Sequence, residues 1–361
     1  YDGMKHVSIA LDPLNGRLYF EGGDYSGASG FHQSYQQETW SLDLAARLSD
    51  PTNRNAGWRL EYPYCGPAGQ IQPKHPDTVG WVWDTKRGVF WMVPGVTIAS
   101  DMNLCPGETY ARNGETYHSD PGFILAHLMT FNPVTKKWTD RSSNVQGPHG
   151  NNWESVYDPK TDTIIRFGYI YGAIAQVYNI SKNTWVDYSL GADALGHDIN
   201  VSNAFPAVDL KDRVIYVIDS EHGRLHRYNM DSHTMDDLGP VPGAPLKFYE
   251  TYIAWDSINH VLFWFENKKI VFNIYHPDTK TWQTNVSLTT NLPGVNAYGR
   301  TMIFDPHDNV LVLMGGDEGD DPPSPPPYFY IYRYGNGTGT PSAPMASLSF
   351  RVDKGTVVSG G

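Results

Sequence analysis

The chain has 361 residues, 40% of them hydrophobic and only 18% charged, with a formal net charge of -12. An acidic chain of this kind argues against nucleic acid and anionic membrane surfaces as partners, because phosphate binding needs clustered Lys and Arg. No apolar run approaches the ~18–20 residues that cross a bilayer, so we expect no membrane insertion.

Short strands are predicted along the whole chain, because Gly and Pro are abundant (35 and 26 residues). A hydrophobic strand, an Asp-led turn and a second hydrophobic strand recur in six copies. In chain order they read HVSIALDPLNGRLYFEGG, TVGWVWDTKRGVFWMVPG, NWESVYDPKTDTIIRFGY, NAFPAVDLKDRVIYVID, TYIAWDSINHVLFWFE and RTMIFDPHDNVLVLMGG. The leading aspartate can accept a hydrogen bond from the backbone N–H two residues further on, which closes each turn. These residues are Asp12, Asp84, Asp158, Asp209, Asp256 and Asp305.

A third and a fourth strand, joined by another polar turn, follow each hairpin. Examples are LMTFNPVTKKWTD, AQVYNISKNTWVDY and VFNIYHPDTKTWQT. A tryptophan closes most copies, and in the fourth copy we place Asp236 or Asp237 at this position. The closing residues are Trp58, Trp138, Trp185 and Trp282. Four strands per copy predict an all-β fold, a six-bladed β-propeller over residues 1–335, with seven blades as the alternative.

These copies resemble kelch-type blades, such as those of the galactose oxidase propeller. The Asp-led hairpins, the closing Trp and the doublets Gly22–Gly23 and Gly315–Gly316 carry the resemblance, which covers residues 5–335. Only two copies have the full glycine doublet, so the resemblance is to an architecture. It implies a fold and does not imply an activity, since one fold serves many functions.

Beyond the predicted propeller, residues 336–344 have the composition of a flexible linker. Residues 345–361 can be interpreted as the start of a truncated Ig-like domain or as a C-terminal tail strand.

The two cysteines, Cys65 and Cys105, lie in loop-like stretches and form no CxxC pair. We favour a disulfide between them over two free thiols. A disulfide indicates a secreted, extracellular protein.

The long connections distinguish the two faces of the predicted ring. In a four-stranded meander, the start of strand one, the loop between strands two and three and the end of strand four share one face. The insertions at 24–38, 94–122 and 317–327 belong to this long-loop face, and the short polar turns belong to the opposite, short-turn face. Long loops on a rigid scaffold concentrate binding and catalytic residues, so we expect the functional site on the long-loop face.

Residues that lead into the innermost strands should surround the central channel. The catalytic candidates, which combine potential acids and bases with one permanent cation, are His149, His197, Tyr249 and Arg300. The candidates for substrate binding are His75, Asn151, Asn152, Asn203, Glu250 and Tyr298. The alternative, that these groups only cap strands and bind channel water, stays open.

The leading functional hypothesis is a secreted, carbohydrate-active polysaccharide lyase. Several lyase families that act on uronate polymers use propellers, and this step is an analogy. The chemistry needs a base for the proton α to a carboxylate, a group that neutralises the developing charge and an acid for the leaving oxygen. His149 or His197 could be the base, and Arg300 could neutralise the carboxylate. The acid could be Tyr249 or Tyr298.

Three alternatives stay open beside the lyase. A hydrolase would need two facing carboxylates, for which Asp77, Asp198 and Glu250 are available. A non-catalytic glycan- or protein-binding module would use the same aromatic and amide groups.

The third alternative is a copper oxidase. SDMNLCPG resembles the cysteine region of galactose oxidase, where a Cys is joined to a Tyr beside copper. The next copy opens HGNNWES, however, without a Tyr at the expected place. Histidines that could hold a Ca, Zn or Cu ion are His6, His75, His149 and His197. We expect a monomer whose partner is a polysaccharide or glycan.

Overall fold

The computed structural model of the protein describes residues 8–21, 24–26, 33–35, 38–50, 53, 55–63, 80–93, 96–98, 110–112, 115–117, 123–125, 128–141, 155–168, 174–201, 205–246, 252–266, 271–287, 301–314, 329–334, 350–353 and 356–359. Within these residues the fold is all-β with one short helix, which confirms the predicted class. No helix of the described part is long and apolar enough to span a membrane.

The first blade is formed from the N-terminal segment alone. Its elements are β1 (Ser8–Asp12), β2 (Arg17–Glu21), β3 (Asp24–Ser26), β4 (Gln33–Tyr35), β5 (Thr39–Asp43), α1 (Leu44–Ser49) and β6 (Trp58–Tyr62). Strands β1, β2, β5 and β6 form the four-stranded sheet, and β3 and β4 form a separate hairpin. Asp43 caps α1 by accepting the Ala46 N–H at 2.8 Å. This helix lies in the connection from strand three to strand four, where the sequence pattern predicted only a short turn.

The second blade carries the longest connection. Its elements are β7 (Gly80–Asp84), β8 (Val89–Val93), β9 (Val96–Ile98), β10 (Tyr110–Arg112), β11 (Glu115–Tyr117), β12 (Phe123–Leu125), β13 (Met129–Asn132) and β14 (Lys137–Asp140). Strands β7, β8, β13 and β14 form the blade, while β9 pairs with β12 and β10 pairs with β11. The β10–β11 pair therefore lies within the predicted insertion at 94–122, and the β9–β12 pair closes it, with β12 just beyond its predicted end.

Blades three to five are regular four-stranded antiparallel sheets in sequential order. Blade three contains β15 (Ser155–Asp158), β16 (Thr163–Gly168), β17 (Ile174–Asn179) and β18 (Thr184–Ser189). Blade four contains β19 (Ala207–Asp209), β20 (Val214–Asp219), β21 (Arg224–Asn229) and β22 (Thr234–Pro240). Blade five contains β23 (Ile253–Asp256), β24 (Val261–Glu266), β25 (Val271–His276) and β26 (Thr281–Ser287).

The sixth sheet has five strands, because the C-terminal tail joins it. Its strands are β27 (Thr301–Asp305), β28 (Val310–Met314), β29 (Phe329–Tyr332), β30 (Phe350–Asp353) and β31 (Thr356–Ser359). The pattern took Phe329–Tyr332 for the last strand of the blade, but it is the third, and β30 pairs with it as the fourth. Residues 350–353 and 356–359 thus extend the sixth blade, whereas the domain boundaries around residues 336–344 stay a prediction.

Side-chain packing between sheets closes the six blades into a ring. Strand β1 contacts both β7 and β27, so the first and last blades are neighbours. Among the described residues there are six buried apolar clusters, one between each pair of adjacent blades. The closing cluster joins Leu18 and Phe20 of blade one to Val310 and Val312 of blade six. The six-bladed propeller is therefore confirmed, and within the described residues each blade is formed from one continuous part of the chain.

The six predicted Asp-led turns all form as expected. The backbone N–H two residues on donates to each leading aspartate at 2.9–3.0 Å. All six aspartates are buried. The residue four places after each aspartate has φ between 52° and 63°, in the left-handed region that favours glycine. Only two of these six residues, Gly16 and Gly88, are glycines. The turn therefore holds ordinary residues such as Arg213 and His260 in the left-handed region.

The closing tryptophans keep one register from blade to blade. Trp138 lies opposite Phe131, Trp185 opposite Tyr178 and Trp282 opposite Tyr275. In blade four, Met235 takes this position, opposite Tyr228. The assignment to Asp236 or Asp237 was wrong, because the turn before β22 has the same length as its counterparts and fixes the register.

Candidate functional site

Of the predicted catalytic, substrate-binding, metal and disulfide residues, only His197 lies in the described part of the chain, together with Asp198 of the hydrolase alternative. The catalytic and substrate-binding roles of the others stay predictions, as do the metal set and the disulfide. The residues outside the described ranges are His6, Cys65, His75, Cys105, His149, Asn151, Asn152, Asn203, Tyr249, Glu250, Tyr298 and Arg300.

His197 lies in the connection between blades three and four. Asp193 folds this connection into a compact turn, because its buried carboxylate accepts the backbone N–H groups of Leu195 at 2.8 Å and His197 at 2.9 Å. The His197 Nδ1 atom lies 3.2 Å from the second carboxylate oxygen of Asp193. The imidazole is thereby oriented by a carboxylate while 49% of its side chain stays exposed.

His222 lies in the connection from β20 to β21, which repeats the Asp-led turn on the long-loop face. Asp219 accepts the backbone N–H groups of Glu221 and His222, and Gly223 has a φ of 63°. The second oxygen of Asp219 lies 2.8 Å from His222 Nδ1. His222 is therefore also held by a fully buried carboxylate.

The two imidazoles stack on each other. Their ring centroids are 4.6 Å apart and their planes differ by 5°. We call Asp193, His197, Asp219 and His222 the histidine cluster. The chain reaches this arrangement by crossing blade four, since Ala194 N–H donates to Asp237 of the outermost strand and Asn200 N–H donates to Asp219. The cluster consequently sits over the outer part of blade four.

The sequence pattern maps both histidines to the long-loop face, because His197 precedes an innermost strand and His222 lies between the second and third strands of its blade, but the pattern does not pair them. The signal for His222 was present: DSEHG has the same form as the Asp-led turns DPLNG and DTKRG. In those turns the residue three places after the aspartate bonds its second oxygen, as Asn15 does to Asp12 and Arg87 does to Asp84. In DSEHG this donor is an imidazole.

Hydrogen bonding shifts the pKa values of the cluster. Burial alone would raise the pKa of Asp193, but the N–H groups of His197 and Leu195 outweigh burial and lower this pKa to about 2. The hydrogen bond to Asp219 raises the pKa of His222 above the ordinary histidine value. Around neutral pH, Asp193 is thus an anion, and His222 retains a proton more readily than an ordinary histidine.

The surroundings of the cluster are acidic. Arg224 is the nearby cation, and its guanidinium is already paired with Asp237 at 2.7 Å, with Asp193 at 3.7 Å. This pairing raises the pKa of Arg224. The carboxylates that surround the imidazoles are Asp193, Asp219, Glu221 and Asp237. An anionic ligand would meet more negative than positive charge here.

A buried histidine lies beneath the cluster. His226 follows Arg224 by two positions in β21 and is fully buried. Neither ring nitrogen has a hydrogen-bond partner within the described part of the chain. Burial lowers the pKa of His226, which favours the neutral form of the ring. His226 thus adds an unsatisfied polar group directly below the charged residues.

Three members of the cluster could hold a metal ion, since one ligand atom each of Asp193, His197 and His222 lies within 4.8 Å of the others. The donor types suit a transition metal. However, histidine lone pairs lie in the ring plane, and the two planes are nearly parallel. Parallel planes do not meet at one ion, so one ring would have to rotate. The geometry as it stands favours proton transfer over metal binding.

A central cavity of about 450 Å³ follows the innermost strands of all six blades. It reaches the short-turn face, where Pro13, Lys211, His260 and Pro306 line it. His197 and His222 are not among its lining residues. The described residues therefore form two separate candidate sites, an acid-base cluster on one face and a mainly apolar cavity that reaches the other.

Comparison with known proteins supports the architecture. No protein-family model matches the sequence, and no curated protein matches it. Among solved structures the chain is similar to YjhT, with 11% sequence identity, a TM-score of 0.57, and coverage of 92% of this chain and 96% of that one. At this identity the likeness shows the fold alone. Because 686 chains of known structure match, the fold does not select an activity.

Proposed function

We propose that the protein is a carbohydrate-active lyase that cleaves a uronate-containing polysaccharide by β-elimination, with His197 and His222 as its acid-base pair. One observation carries this proposal. Two stacked imidazoles, each held by a buried aspartate, lie on the face with the long loops. A histidine whose ring is oriented by a carboxylate is typical of acid-base catalysis.

The roles follow from the hydrogen bonds of each ring. Asp193 holds Nδ1 of His197, so Nε2 is the atom available to accept the proton α to the substrate carbonyl. The electron pair of that C–H bond forms the new C=C bond, and the glycosidic C–O bond breaks. His222, whose pKa is raised, donates a proton to the leaving oxygen. Proton and electrons balance without a cofactor.

The charge of the cluster specifies the form of the substrate. A free uronate about 6 Å from one carboxylate is repelled by about 3 kcal/mol at an effective dielectric constant of 20. Arg224, the cation beside the cluster, is already paired. An esterified uronate is neutral, and its ester is a better acceptor of the developing charge. We therefore assign an esterified uronate polymer as the substrate.

The test is an assay for unsaturated products. Purified protein is incubated with methyl-esterified polygalacturonate and with the de-esterified polymer, and ultraviolet absorbance of the new double bond is followed. We expect cleavage of the esterified polymer and loss of cleavage in His197→Gln and His222→Gln. The matched control is His276→Gln, a half-buried histidine at a turn of the short-turn face. This control should retain activity.

Each other outcome contradicts a part of the proposal. Saturated products would indicate a hydrolase, and binding without cleavage would indicate a glycan-binding module. Preference for the free acid would mean that a further cation, for which Arg300 is the predicted residue, reaches the substrate. Copper-dependent oxidation of a sugar would support the oxidase alternative.

Two further expectations from the sequence are part of the proposal. The kelch-type relationship is supported by the Asp-led turn in all six blades. Secretion and the disulfide between Cys65 and Cys105 depend on residues outside the described ranges. Intact-mass measurement before and after reduction tests the disulfide, since reduction adds two hydrogens.

A further inference from the structure

The central cavity has aromatic walls. Trp83 of blade two and Trp255 of blade five both line it, together with Val156 and Ile303. Trp255 is 8% exposed and stacks on Tyr216 with ring centroids 5.5 Å apart. Fixed aromatic and aliphatic walls of this kind suit a flat apolar group, and the volume of about 450 Å³ is in the range of small-molecule sites.

The same walls contain unsatisfied donors. The indole Nε1–H groups of Trp83 and Trp255 are buried and have no acceptor among the residues that the structure describes. Buried polar groups normally have a partner, so a partner from a ligand or from water is expected here. The walls are therefore apolar surfaces that also contain two donor positions, which bound water can satisfy.

An unpaired cation stands where the cavity meets the short-turn face. Lys211 and His260 both line the cavity, with Nζ and Nε2 3.5 Å apart. Lys211 makes no ion pair within the described ranges. Its turn contains two carboxylates. Asp209 is buried and accepts the backbone N–H groups of Lys211 and Asp212, and the exposed Asp212 forms no ion pair with Lys211 within the described ranges.

Two arginines of this face are paired with carboxylates. Arg87 pairs with Asp162 at 2.6 Å, and Arg213 pairs with Asp158 at 2.7 Å. Lys211 differs from them in having only an imidazole beside it. The adjoining Leu210 is 45% exposed, so the rim combines apolar surface with one available positive charge.

We infer that the central cavity is a second binding site, which takes a small aromatic carboxylate through the short-turn mouth. The ring lies between the apolar walls, and the carboxylate meets Lys211 and His260 at the rim. The site shares no residue with the histidine cluster. The inference therefore stands whether or not the protein is a lyase.

Calorimetric titration with β-naphthoate, and with the neutral β-naphthamide, tests this site. We expect both probes to bind and naphthoate to bind more tightly. Lys211→Met should weaken naphthoate binding about tenfold or more, because an interaction with a charged group is lost, and should leave naphthamide unchanged. The control Lys182→Met removes another exposed lysine of the short-turn face and should change neither affinity.

A cavity-filling variant distinguishes binding of the probes inside the cavity from binding at the protein surface. Ile303 is half-buried and lines the cavity, so Ile303→Trp should abolish binding of both probes while the melting temperature shows that the fold persists. No binding of naphthoate to the wild-type protein at millimolar concentration, or equal binding to Ile303→Trp, would overturn the inference. Unchanged naphthoate affinity in Lys211→Met would overturn the assignment of the carboxylate.

Discussion

The two faces of the propeller use the same Asp-led turn for different purposes. On the short-turn face, the residue three places after the aspartate is a side-chain donor that closes the turn in four of the six blades, as Asn15 and Asn259 do. Blade four has a further Asp-led turn on the long-loop face, and its donor is His222. When a histidine occupies the donor position, the hydrogen bond that closes the turn therefore becomes a carboxylate–imidazole pair.

The charges of the two faces differ in the same way. Arg213 on the short-turn face bonds both oxygens of Asp158 at 2.8 and 2.7 Å and also pairs with Asp231, which joins blade four to blade three. His197 and His222 each use one ring nitrogen for a carboxylate and keep part of the side chain exposed. The first arrangement holds blades together, and the second leaves both imidazoles partly exposed, as the proposed acid-base role requires.

The largest effect is expected for His222→Asn. Asparagine can keep the turn bond, as Asn15 and Asn259 do, but it cannot donate a proton as an acid. The ratio kcat/KM on esterified polygalacturonate should fall about 10²–10⁴-fold, with an unchanged melting temperature. A variant with full activity would show that His222 only closes the turn.

The opposite result is expected for Arg213→Met on the short-turn face. The Asp158 side chain is 1% exposed, so the variant leaves a buried carboxylate without its cation. The free energy of unfolding, measured with urea, should fall by about 3 kcal/mol, with kcat/KM unchanged. Loss of activity in the fully folded variant would contradict the division between the two faces.

A smaller gain in stability is expected for His226→Leu. The imidazole is buried without a partner for either nitrogen in the described part of the chain, and leucine has a similar volume. The free energy of unfolding should rise by about 1 kcal/mol. A decrease instead would mean that His226 has a bonding partner in solution, such as an internal water.

The smallest expected effect is a shift in the pH dependence of activity. Because Asp219 raises the pKa of His222, the protonated acid persists above the ordinary histidine range, and activity should fall only when the pH rises through the raised pKa. Asp219→Asn should move this alkaline fall to lower pH. The kcat/KM profile against pH measures the shift, and an unmoved alkaline limb would assign it to another group.

The raised pKa of His222 also predicts how the stability of the protein changes with pH. The His222–Asp219 bond contributes to the free energy of unfolding. This contribution is fully present below the ordinary histidine pKa and is lost as the pH rises through the raised pKa of His222. Wild-type protein should therefore exceed Asp219→Asn in stability most clearly in mildly acidic solution. Urea titrations at acidic and alkaline pH measure this difference.

Local patterns in the sequence determined the fold class, the six blades and the Asp-led turns, because each turn is held by bonds between residues two to four positions apart. They also placed His197 and His222 on the long-loop face. The sequence predicts a C-terminal tail strand only as one of two alternatives and does not identify it as the fourth strand of blade six. The segment lies beyond a linker-like stretch and is selected by pairing with Phe329–Tyr332.

Tertiary structure alone decided which histidines meet. The connection that carries His197 crosses blade four before entering β19 at Ala207, and its path is fixed by hydrogen bonds to Asp237 and Asp219 from other strands. Hydrogen bonds between distant segments leave no periodic trace in the sequence. The central cavity could not be predicted from the sequence for the same reason. Its lining residues come from six strands that become neighbours only when the first and last blades close the ring.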